Sequence, residues 1–227
     1  DFLGFAVNEG EYKMMGLASF GEPKYYDVLS KSIKFENNKL EIDTKYYDYV
    51  RRTDRSYSDL LTKELGVKPR RPDIPFEVGT DDFKIYANVA ASAQKLLEDL
   101  LFAIFKHAHD LTGEKNFLFS GGVAMNSSAV RKTADLDFIE KLNLPPSPGD
   151  SGAAIGAAYY GFINKNDKPI SKNNLSKNIF PGIIKSNEEF YDLVFDKIAG
   201  DNNSIEKTAE VISQDQIIAT CFSNIET

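Results

Sequence analysis

The sequence predicts an α/β fold, a mixed sheet with helices packed on it, and three observations carry that prediction. Over residues 116–164, apolar runs and helical patterns alternate as strand, helix, strand, helix. Residues 83–109 repeat apolar side chains at three- and four-residue steps, a stripe wide enough to lie on a sheet. Upstream, Ile33–Glu36 and Lys39–Ile42 both alternate in polarity and are joined by Asn37-Asn38, residues that tolerate the positive φ of a two-residue hairpin turn.

Composition narrows the function classes. The chain has 227 residues, 42% of them hydrophobic, enough to fill one large domain or two small ones. A net charge of −7 and a pI near 5.0, with no block of Lys or Arg, argue against a nucleic-acid partner but leave room for a small anion held by local donors. The single cysteine, Cys221, rules out an intrachain disulfide and a multi-cysteine metal site, and a reducing cytoplasm is the expected compartment. No apolar run reaches the roughly 18 to 20 residues of a membrane span, and no signal peptide stands out. The chain opens at Asp1 and closes at Thr227 just behind an apolar run, so both ends are expected to be cut.

Taken in order, residues 11–21 carry a short helical pattern ended by Gly21 and Pro23, with Lys13 as its one basic group. After the hairpin, residues 46–82 are tyrosine-rich, charged and broken by Pro69, Pro72 and Pro75. They read as a surface excursion holding one short helix at 57–65, and the pairs Arg51-Arg52 and Arg70-Arg71 read as exposed loop charge. His107 and His109, the only histidines, sit two apart on the long helix and so on different sides of it, which is poor spacing for a metal. Next come a strand at 116–120, a helix at about 124–135, a strand near 138–144 and a helix at 151–164. Residues 165–204 read as a linker and a helix, and 205–227 as a short helix and a buried strand opening a further unit. Cys221, within that strand, reads as core rather than nucleophile.

Two glycine-rich turns hold the chemistry. In the first, Ser120-Gly121-Gly122-Val123-Ala124-Met125-Asn126, the glycines clear side chains from the backbone where a strand gives way to a helix, whose free N–H groups favour an anion. Asn126 adds an amide able both to donate and to accept. Such a turn is also found as a plain tight connection. In the second, Gly149-Asp150-Ser151-Gly152, Asp150 stands at a helix start ahead of Ala153, Ala154, Gly156, Ala157 and Ala158. It reads either as an N-cap or as an oxygen ligand for a cation, and the small residues behind it call for something packed close. Together the two turns read as two walls of one cleft.

The block at 11–21 (Glu-Tyr-Lys-Met-Met-Gly-Leu-Ala-Ser-Phe-Gly) and these two turns, in this order and spacing, resemble the three signature blocks of the nodulation-protein type O-carbamoyltransferases. The resemblance covers nearly the whole chain. It implies an actin/sugar-kinase/Hsp70-like (ASKHA) fold, with residues 1–26 ending a first lobe, 27–164 forming the second, and 205–227 beginning a C-terminal YrdC-like domain. It further implies that Gly121, Gly122, Val123 and Asn126 line an adenine-nucleotide (ATP) pocket, and that Asp150 is a ligand of Fe²⁺ or another divalent metal. Lys13 and Gly16 would lie near the cleft, Lys13 with a catalytic role. The implied reaction moves a carbamoyl group from carbamoyl phosphate, through a carbamoyl-adenylate, to a hydroxyl of a sugar or natural product, with the metal polarising the carbonyl. A homodimer is compatible with it. The family's metal-binding histidines lie upstream of Asp1, and its Gly-Pro-Arg block lies beyond Thr227, so the chain is expected to hold part of one active site. Two other readings stand beside it: a kinase or ATPase of the same fold with Asp150 on Mg²⁺, and a non-catalytic module whose small-residue helix packs on a protein partner.

Overall fold

The structure is a computed structural model that describes residues 1–145, 147–166, 221–222 and 225–226. The chain divides into two units, Asp1–Ala158 and Tyr159–Thr227. The expected linker and helix after 166 and the greater part of the expected further unit lie outside the described residues. Within the second unit, β5 (Cys221–Phe222) pairs antiparallel with β6 (Ile225–Glu226), which places a strand at Cys221 as expected.

The first unit is built along one helix. α4 (Asp81–Thr112) is capped by Thr80, whose Oγ1 accepts from the Phe83 N–H, and is closed by Gly113 at φ 71°. Thirty-two residues give a rod about 48 Å long, and three apolar clusters follow one another down its length. Near its start, Phe83, Ala87, Val89 and Ala90 pack with Leu3, Leu17 and Ala18. In the middle, Leu96 meets Leu29, Tyr46, Leu61 and Leu65. Towards the end, Leu101 and Phe105 meet Ala129 and Ile139. Val89, Leu96, Leu101 and Phe105 of the sequence stripe are buried, Ile104 of the same stripe is exposed, and small and polar residues such as Ala87, Asn88 and Ser92 are buried beside them; the helix also runs further in both directions than the apolar repeat alone indicates.

α1 (Glu11–Ala18) lies across the first of these clusters. The approach is backbone to backbone: a Cβ on Gly21 would overlap the Ala87 carbonyl. Asn88 Oδ1 accepts from the Glu22 N–H at 2.8 Å, and Ser92 Oγ from the Tyr25 N–H at 2.9 Å. These buried polar side chains of α4 satisfy main-chain donors that a purely apolar face would strand. α2 (Tyr26–Ser32), which the sequence pattern did not mark, follows directly. β1 (Ile33–Glu36) and β2 (Lys39–Ile42) form the expected hairpin, with Asn37 and Asn38 at φ 51° and 63°.

The expected excursion at 46–82 is partly core. Tyr46 is buried, Tyr47 hydrogen-bonds Ser32 at 2.7 Å, and α3 (Asp59–Leu65), capped by Ser58 and closed by Gly66, buries Leu61 and Leu65. Arg51, Arg52 and Arg71 are exposed as expected. Arg70 is not: it is half-buried, with its guanidinium 4.0 Å from the Phe76 ring centroid, a stacked cation–π contact.

β3 (Asn116–Leu118) and β4 (Lys141–Asn143) pair in parallel, joined through α5 (Ser127–Ala134) in a β-α-β unit. Antiparallel and parallel pairings therefore occur in separate two-stranded sheets among the described residues, not within the single mixed sheet the sequence suggests. β4 is shorter than expected because the residues before it turn against α4: Ile139 is buried, and the Phe138 ring stacks on His109 and meets Phe102 edge-on. His109 is thereby engaged in packing, and His107 faces Phe35. α6 (Gly152–Asn166) is the last described helix, and no helix among the described residues is long and apolar enough to cross a membrane.

Candidate functional site at the carboxyl edge of the parallel strands

The two glycine turns leave neighbouring parallel strands at the same edge, the place where open α/β sheets bind ligands. They are hydrogen-bonded to each other. The Gly121 N–H donates to the Pro148 carbonyl at 2.8 Å, and Ser120 Oγ donates to the same oxygen at 3.3 Å. A Cβ on Gly149 would lie 2.9 Å from Met125 Sδ, so the second turn is also pressed against the first through a side chain.

The first turn is shaped by its glycine. Gly121 takes φ 104°, ψ 166°, a region all but closed to other residues. Behind it Gly122–Met125 form one 3-10 turn, and Asn126, at φ −77°, ψ 93°, breaks it before α5 begins. The single helix expected over 124–135 is therefore two pieces, and Asn126 is the joint between them. The reason is its short polar side chain, which competes for the main chain: Oδ1 accepts from the Ala129 N–H at 3.0 Å and caps α5. Asn126 Nδ2 donates to Gln94 Oε1, and Gln94 Nε2 donates back to Asn126 Oδ1. The amide expected to read a ligand is thus largely engaged by the protein itself.

The open donors are main-chain ones. Among the described residues, neither the Gly122 nor the Val123 N–H has a hydrogen-bond partner, and both residues are exposed. A Cβ on Gly122 would meet nothing within 4 Å. Packing does not require a glycine there, whereas a ligand close to the backbone would.

Asp150 is exposed and does not cap α6. The N–H groups a cap would take are already held by carbonyls, Gly152 by Gly149 and Ala153 by Asp150 itself. The Asp150 carboxylate makes no hydrogen bond or ion pair among the described residues. Ser151 beside it shares a hydroxyl–hydroxyl contact of 3.0 Å with Ser147. No group of three or more His, Cys, Asp or Glu among the described residues could hold a metal ion, so Asp150 supplies one oxygen donor and not a complete site.

The 11–21 block reaches the same region through Met15, whose Sδ lies 3.7 Å from Ser127 Oγ at the start of α5. Glu11 organises the block's own entry: its carboxylate accepts from the Asn8 and Gly10 N–H groups, and its own, Asn8's and Gly10's donors hold it below the usual carboxylate range. Lys13 is exposed, with Nζ 5.7 Å from the Tyr12 ring and no ion pair among the described residues. Gly16 has open space where a Cβ would stand.

Gln94 and Glu98 are the participants that the sequence reading passed over. Gln94 is 6% exposed on the same face of α4 as Ala90, Leu97 and Leu101, and a polar residue inside an apolar stripe was the available signal. Two shallow hollows of the first unit lie beside Lys95, Glu98 and Lys132 and beside Tyr49 and Arg52. The first glycine turn is an exposed shelf, with Gly121, Gly122 and Val123 all at the surface.

Comparison with known proteins follows the same blocks. A family model described as the carbamoyltransferase N-terminus matches residues 1–159. Nodulation protein NolNO of Sinorhizobium fredii is 31% identical over 159 residues, covering 69% of this chain and 21% of that protein. Nodulation protein U of Rhizobium tropici is 42% identical over 77 residues, 31% of this chain and 13% of its own length. An uncharacterized protein of Synechocystis is 29% identical over 196 residues, 83% of this chain and 30% of its own. The chain spans less than a third of the length of these relatives.

Proposed function

The chain belongs to the carbamoyltransferase family, and from that footing we propose that it forms the nucleotide-facing part of an ATP-dependent O-carbamoyltransferase, within a lobe of the actin, sugar-kinase and Hsp70 type. One observation carries this reading: the unpartnered Gly122 and Val123 N–H groups beside the empty Cβ position of Gly122. Two successive main-chain donors without a partner among the described residues, on an exposed turn, suit the phosphate of an adenine nucleotide.

The reaction proposed is transfer of a carbamoyl group, drawn from carbamoyl phosphate and carried as carbamoyl-adenylate, to a hydroxyl of a small-molecule acceptor. The acceptor oxygen adds to the carbamoyl carbon, the bond from that carbon to the adenylate phosphate oxygen breaks, AMP leaves, and the hydroxyl proton is lost to a base. In this chain the turn would hold the adenylate phosphate, restraining the leaving group while charge develops on it. Asp150, unpaired on the adjoining turn, is assigned as one carboxylate ligand of a divalent metal such as Fe²⁺. The described residues do not complete that site. Lys13 and Gly16, on the block that reaches α5 through Met15, are assigned to the rim of the same region.

The test is a side chain placed where the backbone is bare. The Cβ of Gly122→Val meets nothing within 4 Å, so its melting temperature should stay within about 2 °C of wild type, while isothermal titration should show loss of ATP binding. Undiminished ATP affinity in that variant would remove the turn from the nucleotide site.

A further inference from the structure

The first glycine turn is held by a partly buried chain of amides whose orientation is dictated from both ends. At one end the Ala129 N–H can only donate, so the amide oxygen of Asn126 must face it and the amide nitrogen must point to Gln94 Oε1, 2.9 Å away. At the other end stands Glu98, whose side chain is 8% exposed. Burial opposes its charge, but the bonds from Lys132 Nζ at 2.6 Å, from Gln94 and from Ser128 Oγ at 3.1 Å outweigh this and hold its carboxyl below the ordinary value. A carboxylate accepts only, so Gln94 must present Nε2 to it. Gln94 Nε2 then gives one hydrogen to Glu98 Oε1 and the other to Asn126 Oδ1, both at 3.0 Å. Turning either amide over would set oxygen against oxygen at one end and nitrogen against nitrogen at the other.

We propose that Gln94 is the positioning residue of the first glycine turn: through its two-bond pair with Asn126 it fixes the joint between the 3-10 turn and α5, and with it the direction of the Gly122 and Val123 N–H groups. The nucleotide consequence rests on the function proposed above; the positioning itself does not. Asn126 sits where the chain leaves one helical piece for the next, and its side chain is hydrogen-bonded to α4. Gln94 reaches it from the rigid middle of a 32-residue helix, so the turn takes its register from the core and not from its own short, exposed loop. Glu98 selects which face of Gln94 is presented, and Lys132 and Ser128 from α5 keep Glu98 ionised. The arrangement closes a loop: α5 is capped by Asn126, Asn126 is held by Gln94, and Gln94 is oriented by a carboxylate that α5 itself neutralises.

The test uses the whole 227-residue chain and Gln94→Met, which keeps the length of the side chain and removes all three of its hydrogen bonds, two with Asn126 and one with Glu98. Side-chain and backbone amide resonances are followed without ligand and during titration with ATP. The expected result is that, without ligand, the Asn126 side-chain NH₂ pair loses its distinct shifts and the Gly122 and Val123 amides move, while amides around Leu17 and Phe83 stay in place. The ATP dissociation constant is then expected to rise about tenfold. Wild-type positions for Asn126, Gly122 and Val123 in Gln94→Met would overturn the positioning role. Amides that move in the ligand-free variant, in a protein whose wild type shows no ATP-dependent shift at Gly122 or Val123, would uphold the positioning and overturn the nucleotide reading. Should Gln94→Met not fold, Glu98→Gln takes its place: it keeps the shape but removes the fixed acceptor, and the same three groups of resonances decide the outcome.

Discussion

The two glycine turns leave adjacent parallel strands and touch each other, yet they treat their polar side chains in opposite ways. In the first, Asn126 spends its amide on the Ala129 N–H and on Gln94, and what stays open is main chain. In the second, the donors near the helix start are satisfied by carbonyls, and what stays open is the Asp150 carboxylate. The comparison separates a residue that builds the shelf from one that faces out of it. It also explains why two residues that looked equally functional in the sequence should respond differently to mutation.

The largest effect is expected on the building side. Asn126→Ala removes a helix cap, about 1 kcal/mol, and leaves the buried Gln94 amide without its pair, about 1–3 kcal/mol more. Urea denaturation should therefore show a loss of about 2–4 kcal/mol, summing those two contributions. A loss below about 0.5 kcal/mol, the range of an ordinary surface change, would mean that Asn126 is not a structural joint and that the contrast between the turns fails.

A smaller effect is expected from acid. The Glu98 carboxyl is held below its unfolded value of about 4.5, so its contribution to stability is complete above that pH and is lost as pH falls through the lower, folded value. Glu98→Gln carries no such proton. The difference in stability between wild type and Glu98→Gln should be flat from pH 7 to about pH 5 and should shrink below pH 4.5. A difference that grew on acidification would place the Glu98 charge on the destabilising side and break the chain of amides at its acidic end.

Much of the frame was legible in the sequence because the signals were local. Asn37-Asn38 announced the hairpin turn, and the apolar stripe announced α4. What escaped depends on contacts distant in sequence. Asn126 reads locally as part of a helix, and only its partner 32 residues upstream, Gln94, makes it a joint. Asp150 reads locally as an N-cap, and only the carbonyls of the turn show that the cap position is already filled. Arg70 reads as loop charge until Phe76 is brought beneath it. The three blocks themselves were plain in sequence, but their meeting was not: Met15 to Ser127 and Gly121 to Pro148 are contacts that α4 and the parallel strands create.

The most direct measurement is a thermal unfolding comparison of wild type and Asp150→Asn, each alone and with ATP plus a divalent metal. If Asp150 faces outward for chemistry, the two proteins melt together without ligand, within about 2 °C as for a surface change, and only the wild type gains stability from the ligands. A markedly lower melting temperature for Asp150→Asn without ligand would make Asp150 a structural residue after all. An equal ligand-induced rise in both proteins would equally contradict the division of roles between the two turns.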